Sequence, residues 1–172
     1  MGIERICQKV ALRYGSQRLI HRTLRRMGVR LGEGCRIYTQ NFGSEPWLIR
    51  IGDRVCISND VTFVTHNLTW PVQDKHESLT SFAPIIIEDN CQVGVNVTLL
   101  PGVTIGAGSA VGAGSVVASD IPPGVVAAGN PARVLCTMDE YEEKLKASHI
   151  AIPQDRREAR RVLERHFWGD EA

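Results

Sequence analysis

Residues 87–117 read IEDNCQVGVNVTLLPGVTIGAGSAVGAGSVV, and one spacing runs through the whole stretch. Ile87, Val93, Leu99, Ile105, Val111 and Val117 stand six positions apart. Gly or Ala follows in four of these hexads, at Gly94, Gly106, Gly112 and Ala118. A second class of small or β-branched residues falls four positions after each apolar one: Cys91, Val97, Val103, Ser109, Ser115 and Ile121. A period of six matches neither the 3.6 of a helix nor the 2 of a strand. It matches a parallel β-helix with three flat faces, in which each hexad supplies a short strand and a corner. The first residue of each hexad is expected to point into the prism. The small residue after it is expected to let the backbone turn the corner, where a larger side chain would crowd it. No coil buries its apolar face alone, so the stack is the stable unit.

The same spacing continues upstream at Ile51, Ile57 and Phe63, with Gly52, Val55 and Val61 in the matching slots. Leu31 and Ile37, with Gly32 and Cys35, read as an earlier, degraded turn. Between Phe63 and Ile87 the rhythm is lost, because the in-frame residues are Thr69, Lys75 and Ser81. Ile51 and Ile87 are 36 positions apart, the length of two coils, yet the polar in-frame residues make this a coincidence of frame. Residues 67–86 are therefore read as an excursion, and long irregular loops in compact domains tend to be functional.

Both flanks read as helical. Residues 1–30 hold eight basic side chains and one acid, interleaved with Ile3, Ile6, Val10, Leu19, Ile20, Leu24 and Met27. One or two amphipathic helices are expected there, with Gly15 as the break. The plain role is packing with a solvated basic face; a weak membrane-surface contact is the sharper reading. Near residue 137, TMDE gives a capping-box spacing between Thr137 and Glu140, and Asp155 can cap a second helix over DRREARRVLERHFW. The expected organisation is an N-terminal helical segment over 1–30, a β-helix over 31–136 and C-terminal helices over 137–172.

Composition narrows the class. The 172 residues are 43% hydrophobic and 23% charged, with net charge +1, so the chain as a whole does not advertise nucleic-acid binding. No apolar run approaches the ~20 residues of a membrane helix, and no signal-peptide core is evident. Five scattered cysteines, none in a CxxC pair, suggest a reduced, cytoplasmic protein with buried thiols.

These residues resemble the left-handed β-helix, hexapeptide-repeat acyltransferases. LLPGVTIGAGSAVGAGSVVASDIPPGVVAAGNPARV, residues 99–134, is similar to the closing coils of the family's sugar O-acetyltransferase branch. NFGSEPWLIRIGDRVCISNDVTFVTH, residues 41–66, resembles O-acetyltransferases of capsular and exopolysaccharide biosynthesis. The periodicity does not fix the hand of the coil; the resemblance implies a left-handed one, an exception to the usual crossover rule. It also implies a homotrimer with active sites at the subunit interfaces, and acetyl-CoA as the acyl donor with no metal.

Acetyl transfer from a thioester to a sugar hydroxyl needs a base, donors for the developing oxyanion and a groove for pantetheine. Imidazole suits the first task. By resemblance the base is the histidine after the Val-Thr pair, here His66. Asp60 is one candidate to orient it. The NFGSEP element implies acceptor contacts through Asn41 or Glu45, although Asn-Phe-Gly-Ser also suits a plain turn. Trp70 is a candidate stacking surface for a sugar ring, or a loop anchor. For the cofactor, Gly94, Gly112 and Ala113 match family positions along the pantetheine, and Arg133 matches a basic residue near the nucleotide phosphates. Ser119 stands where many relatives carry a phosphate-contacting lysine, and Gln92 where they carry an aromatic. Cysteine chemistry is not expected, since no neighbour in sequence activates a thiolate.

Three other readings compete. An N-acetyltransferase of an amino-sugar nucleotide or another small amine would use the same fold and base. A zinc enzyme resembling γ-type carbonic anhydrase would need three histidines, and the coils offer only His66, with His76 in the excursion. A non-catalytic assembly module would need neither His66 nor NPARV.

Overall fold

From residue 87 onward, each hexad residue lies beside the one eighteen positions further on. In a computed structural model of the chain, which describes residues 3–68, 75–76 and 79–169, Ile87 pairs with Ile105, Val93 with Val111 and Leu99 with Val117. The strands carrying these pairs form three sheets. One holds β1 (Arg30–Leu31), β3 (Ile49–Ile51), β8 (Ile85–Ile87) and β11 (Thr104–Ile105). The second runs through β2 (Arg36–Ile37), β4 (Cys56–Ile57), β9 (Gln92–Val93), β12 (Ala110–Val111), β14 (Val125–Gly129) and β15 (Ala132–Thr137). The third holds β5 (Thr62–Phe63), β10 (Thr98–Leu99) and β13 (Val116–Val117). The chain visits the three sheets in rotation, and every pairing among them is parallel except β14 with β15. This is a three-sided parallel β-helix.

Both predicted classes of residue point inward. Ile51, Ile57, Phe63, Ile87, Val93, Leu99, Ile105, Val111 and Val117 are all buried, as are Val55, Val61, Cys91, Val97, Val103 and Ile121. Ser109 and Ser115 occupy the same interior slots, and their hydroxyls are paired twice. Ser109 Oγ donates to Pro122 O and accepts from Val125 N; Ser115 Oγ donates to Gly112 O and accepts from Gly129 N. A buried hydroxyl with both roles filled carries little penalty.

The corner is placed differently from the expectation. Its left-handed backbone lies three residues after the inward one, at Arg54, Asp60, Asn90, Asn96, Gly102, Gly108 and Gly114. Asn and Asp are the non-glycine residues that best tolerate this conformation. The small residue directly after the inward one serves stacking instead. A Cβ on Gly94 would lie 2.6 Å from Ala113 N and 2.8 Å from Val111 O in the next coil.

The excursion also has a sharper outline. β3 pairs directly with β8, so Ile51 and Ile87 sit in adjacent coils. The 36-residue separation is thus one coil plus an insertion of equal length, which preserves register across the break. β6 (His66–Leu68) and β7 (Thr80–Phe82) form its antiparallel stem. The coil resumes at Ile85, so Ile85 and Ile86 belong to the helix and not to a 67–86 loop.

The open end of the first coil is covered by α2 (Gln17–Arg26), which follows α1 (Ile3–Tyr14) after a break at Gly15 and Ser16. Ile20, Thr23 and Leu24 form the buried face of α2. Gln17 reads the free edge of β2: its Nε2 donates to Ile37 O, and its Oε1 accepts from Ile37 N, both at 2.9 Å. Arg25 donates to the carbonyls of Leu31 and Gly32 beside β1. The edge that a stacked coil would otherwise pair is satisfied by side chains.

Two compact units divide the chain, Met1–Tyr141 and Glu142–Ala172. In the first, Thr137 and Glu140 exchange the reciprocal bonds of a capping box at the start of α3 (Met138–Ala147). In the second, Asp155 caps α4 (Arg156–Trp168) by accepting from Arg157 N and Glu158 N.

Candidate active site

The site begins where β5 leaves the prism. Phe63 ends the strand with its ring stacked on Phe42, 5.0 Å between centroids. Phe42 comes from the NFGSEP segment, which crosses here at close range. A Cβ on Gly43 would lie 2.8 Å from Phe63 O, and Gly43 has φ +66, so both space and backbone require glycine. The crossing delivers Glu45 to Thr65 and His66, two and three residues beyond Phe63.

Glu45 Oε2 accepts from the buried Thr65 hydroxyl at 2.6 Å and lies 3.0 Å from His66 Nδ1. The Glu45 side chain is 16% exposed and that of His66 36%. The Thr65 hydroxyl, and then the His66 ring, hold the Glu45 carboxyl below its usual range. An ionised carboxylate only accepts hydrogen bonds, so the imidazole proton belongs on Nδ1. Nε2 is then left with a lone pair. The hairpin stem fixes the ring from the other direction: β6–β7 register sets Phe82 opposite His66, with ring centroids 5.8 Å apart. Ala83 N donates to Thr65 O at the base of the stem.

This arrangement revises several expectations. Asp60 is a left-handed corner residue, φ 58, and Glu45 is the carboxylate that meets His66. Glu45 is accordingly turned toward the histidine, where the sequence reading gave it to the acceptor. Asn41 is exposed and ties its backbone to the third sheet, bridging to Thr62 and accepting from Phe63 N. Trp70 lies outside the described residues. Thr65 and Phe82 were not anticipated. Thr65 is visible only as the residue before His66, and Phe82 depends on hairpin register that no local pattern encodes.

Ser44 and Pro46, the neighbours of Glu45, line a cavity of about 390 Å³ together with Leu12, Gln40, Phe42 and Trp47. Trp47 is 59% exposed.

The candidate cofactor residues are spread around the prism. Gly94, Gly112 and Ala113 adjoin one another in the turns that follow β9 and β12, between the second sheet and the third. His66 stands between the third sheet and the first. Ser119 is exposed after β13, and Arg133 is exposed on β15 with Nη1 on Ala132 O. Gln92 spends its amide on Ser58 Oγ, 3.2 Å away, and on Val93 O. Burial pushes the Cys35 and Cys91 thiols up, so neither is poised as a thiolate.

Comparison with known proteins agrees with this architecture. Residues 84–119 match the family described as bacterial transferase hexapeptide (six repeats). Protein CapG of Staphylococcus aureus is 41% identical over 142 residues, 80% of this chain and 83% of that one. Galactoside O-acetyltransferase of Escherichia coli is 42% identical over 100 residues, 58% of this chain and 49% of the enzyme. A hexapeptide-repeat acetyltransferase of Vibrio cholerae, solved with acetyl coenzyme A, superposes with a TM-score of 0.60 at 27% identity, covering 78% of this chain and 85% of that one. With its hexad ladders and a relative matched over most of both chains, the protein belongs to the hexapeptide-repeat acyltransferases.

Proposed function

We propose that the protein transfers an acetyl group from acetyl-CoA to a hydroxyl of a sugar or polysaccharide precursor. The observation that carries this reading is the Glu45–His66 pair. A histidine held at Nδ1 by an ionised carboxylate presents a basic Nε2, which is what activation of a hydroxyl requires. Nε2 takes the acceptor proton as the oxygen attacks the thioester carbonyl. The C–S bond breaks as the tetrahedral intermediate collapses, and the imidazolium returns its proton to the departing thiolate. Glu45 stabilises the imidazolium that forms between the two transfers. Burial and raised thiols argue against Cys35 and Cys91 as acyl carriers, and direct transfer is the step assigned.

Acetyl-CoA is assigned to Gly94, Gly112, Ala113, Ser119 and Arg133. The small residues permit close backbone approach, and the exposed Arg133 guanidinium offers donors to phosphate. The small residues Gly94, Gly112 and Ala113 occupy a different corner of the prism from His66, whereas Ser119 follows the third sheet as His66 does. That separation supports a homotrimer in which each site is completed by a neighbouring subunit, on a left-handed coil. The acceptor is assigned to the cavity beside Glu45, where Trp47 offers an indole face and Ser44 and Gln40 offer hydrogen bonds. Asn41 and Trp70 remain assigned to the acceptor as well, and the cytoplasm as the compartment. Among the described residues, no helix is long and apolar enough to cross a membrane.

An amine acceptor would use the same base, so chemistry separates the two cases. The purified protein is incubated with acetyl-CoA and a panel of sugars and amino sugars, and the products are analysed by mass spectrometry before and after hydroxylamine. The proposal expects a hydroxylamine-labile ester. A stable amide as the only product, or no transfer to any acceptor together with no acetyl-CoA binding in calorimetry, contradicts it.

A further inference from the structure

Helix α2 does two jobs on two faces. Its buried face, with Gln17 and Arg25, closes the first coil. The remaining side carries Arg18, Arg22 and Arg26, all exposed, and among the described residues none of the three has a hydrogen bond or ion pair. They stand four residues apart, so like charges face one another along one stripe. That spacing of like charges weakens a helix. The first turn offers no acid to offset it. Closing the coil does not call for these charges, because Gln17 and Arg25 make the edge contacts.

The stripe borders a groove of about 670 Å³, lined by Arg18, His21, Arg22, Arg25, Arg26 and Glu33. Its single acid is already taken: Glu33 Oε1 accepts from Arg25 Nη2 at 2.7 Å. His21 adds an unpaired polar atom, since its Nε2 is shut off from solvent with no hydrogen-bond partner. The groove thus presents three guanidinium groups that no acid among the described residues neutralises.

We infer that this groove binds a phosphate or diphosphate group. Guanidinium forks match phosphate oxygens bidentately, and an anion there relieves the mutual repulsion of the stripe. At 1.5 Å per residue, Arg18 and Arg26 are about 12 Å apart along the helix axis, with Arg22 between them. Donors over that length reach more than one phosphate. The same chemistry is offered by a phosphate-linked sugar in solution and by a phospholipid headgroup. Tyr14 and Leu19, 75% and 42% exposed, flank the basic stripe with apolar surface. The inference stands apart from the acetyl-transfer reading, because it rests on no residue of that site.

The test uses the full chain at low salt. Inorganic pyrophosphate is titrated by calorimetry, and flotation is measured with phosphatidylcholine vesicles with and without phosphatidylglycerol. Wild type is compared with Arg18→Ala/Arg22→Ala and with Arg157→Ala/Arg161→Ala, which removes equal charge from α4. Circular dichroism and Tm check that the variants fold; Arg18→Lys/Arg22→Lys, which keeps the charge and loses the fork, gives a second comparison. We expect wild type to bind pyrophosphate, or vesicles only when phosphatidylglycerol is present. The first result identifies a soluble phosphate source and the second a headgroup. Either affinity should fall about tenfold or more in Arg18→Ala/Arg22→Ala, fall partly in the lysine variant, and hold in the α4 control. Wild type that binds neither probe, or an equal loss in the α4 control, overturns the inference.

Discussion

A carboxylate and a hydroxyl decide what His66 can do. Thr65 and Glu45 form a short chain of hydrogen bonds ending at Nδ1, and each member has one role available to it. Glu45→Gln keeps the shape and removes the charge. On the proposed mechanism it should lower kcat with KM little changed, because the imidazolium would exist only between the two proton transfers. The same carboxylate predicts a pH effect on stability. Its folded-state value lies below the usual 4.5, so its contribution is full above that value and fades as pH falls through the lower one. The Tm gap between wild type and Glu45→Gln should therefore hold from neutrality to about pH 5 and shrink in more acid buffer.

At this scale His66 is a candidate in the sequence because it stands where the hexads stop and matches the family's histidine after a Val-Thr pair. Its partner is not legible there. Glu45 lies 21 positions upstream, and only the Gly43 crossing brings it to the histidine. Asp60, nearer in sequence, is used up by a corner that needs a left-handed residue.

At the scale of elements, the coil depends on two kinds of close fit. Gly94 admits the backbone of the next coil, so Gly94→Ala should cost about 1–3 kcal/mol, as overpacking does. That should appear as a fall of several degrees in Tm. Gln17 closes the other kind of gap, at the free edge of β2. Gln17→Ala leaves both polar groups of Ile37 unpaired and should cost about 1–3 kcal/mol, measured by urea denaturation.

The inward ladders were readable from spacing alone, since a six-residue period has few physical solutions. The role of each non-ladder position was harder to read. The glycine after an inward residue and the asparagine three after it both look like turn residues in a sequence. Only the stacked coils reveal that the first serves close approach and the second the left-handed bend. The length of the insertion after Phe63 likewise became meaningful once β3 was seen paired with β8.

For the whole molecule, the distribution of residues around the prism points beyond one chain. The candidate base and the small-residue corners lie on different edges, and assembly with a neighbour would unite them. Light scattering on the eluting protein should give about three times the chain mass of 19.0 kDa. A monomer that is fully active would contradict the shared-site account. The basic stripe on α2, which in sequence reads as a packing helix with a solvated basic face or a weak membrane contact, borders a groove whose one acid, Glu33, is already paired.

The most direct test of the central claim is the steady-state kcat of His66→Ala with acetyl-CoA and the best acceptor, beside its acetyl-CoA affinity and its Tm. The account predicts a loss of about 10²–10⁴ in kcat with affinity and Tm near wild type. A folded His66→Ala protein that acetylates at nearly the wild-type rate would contradict it.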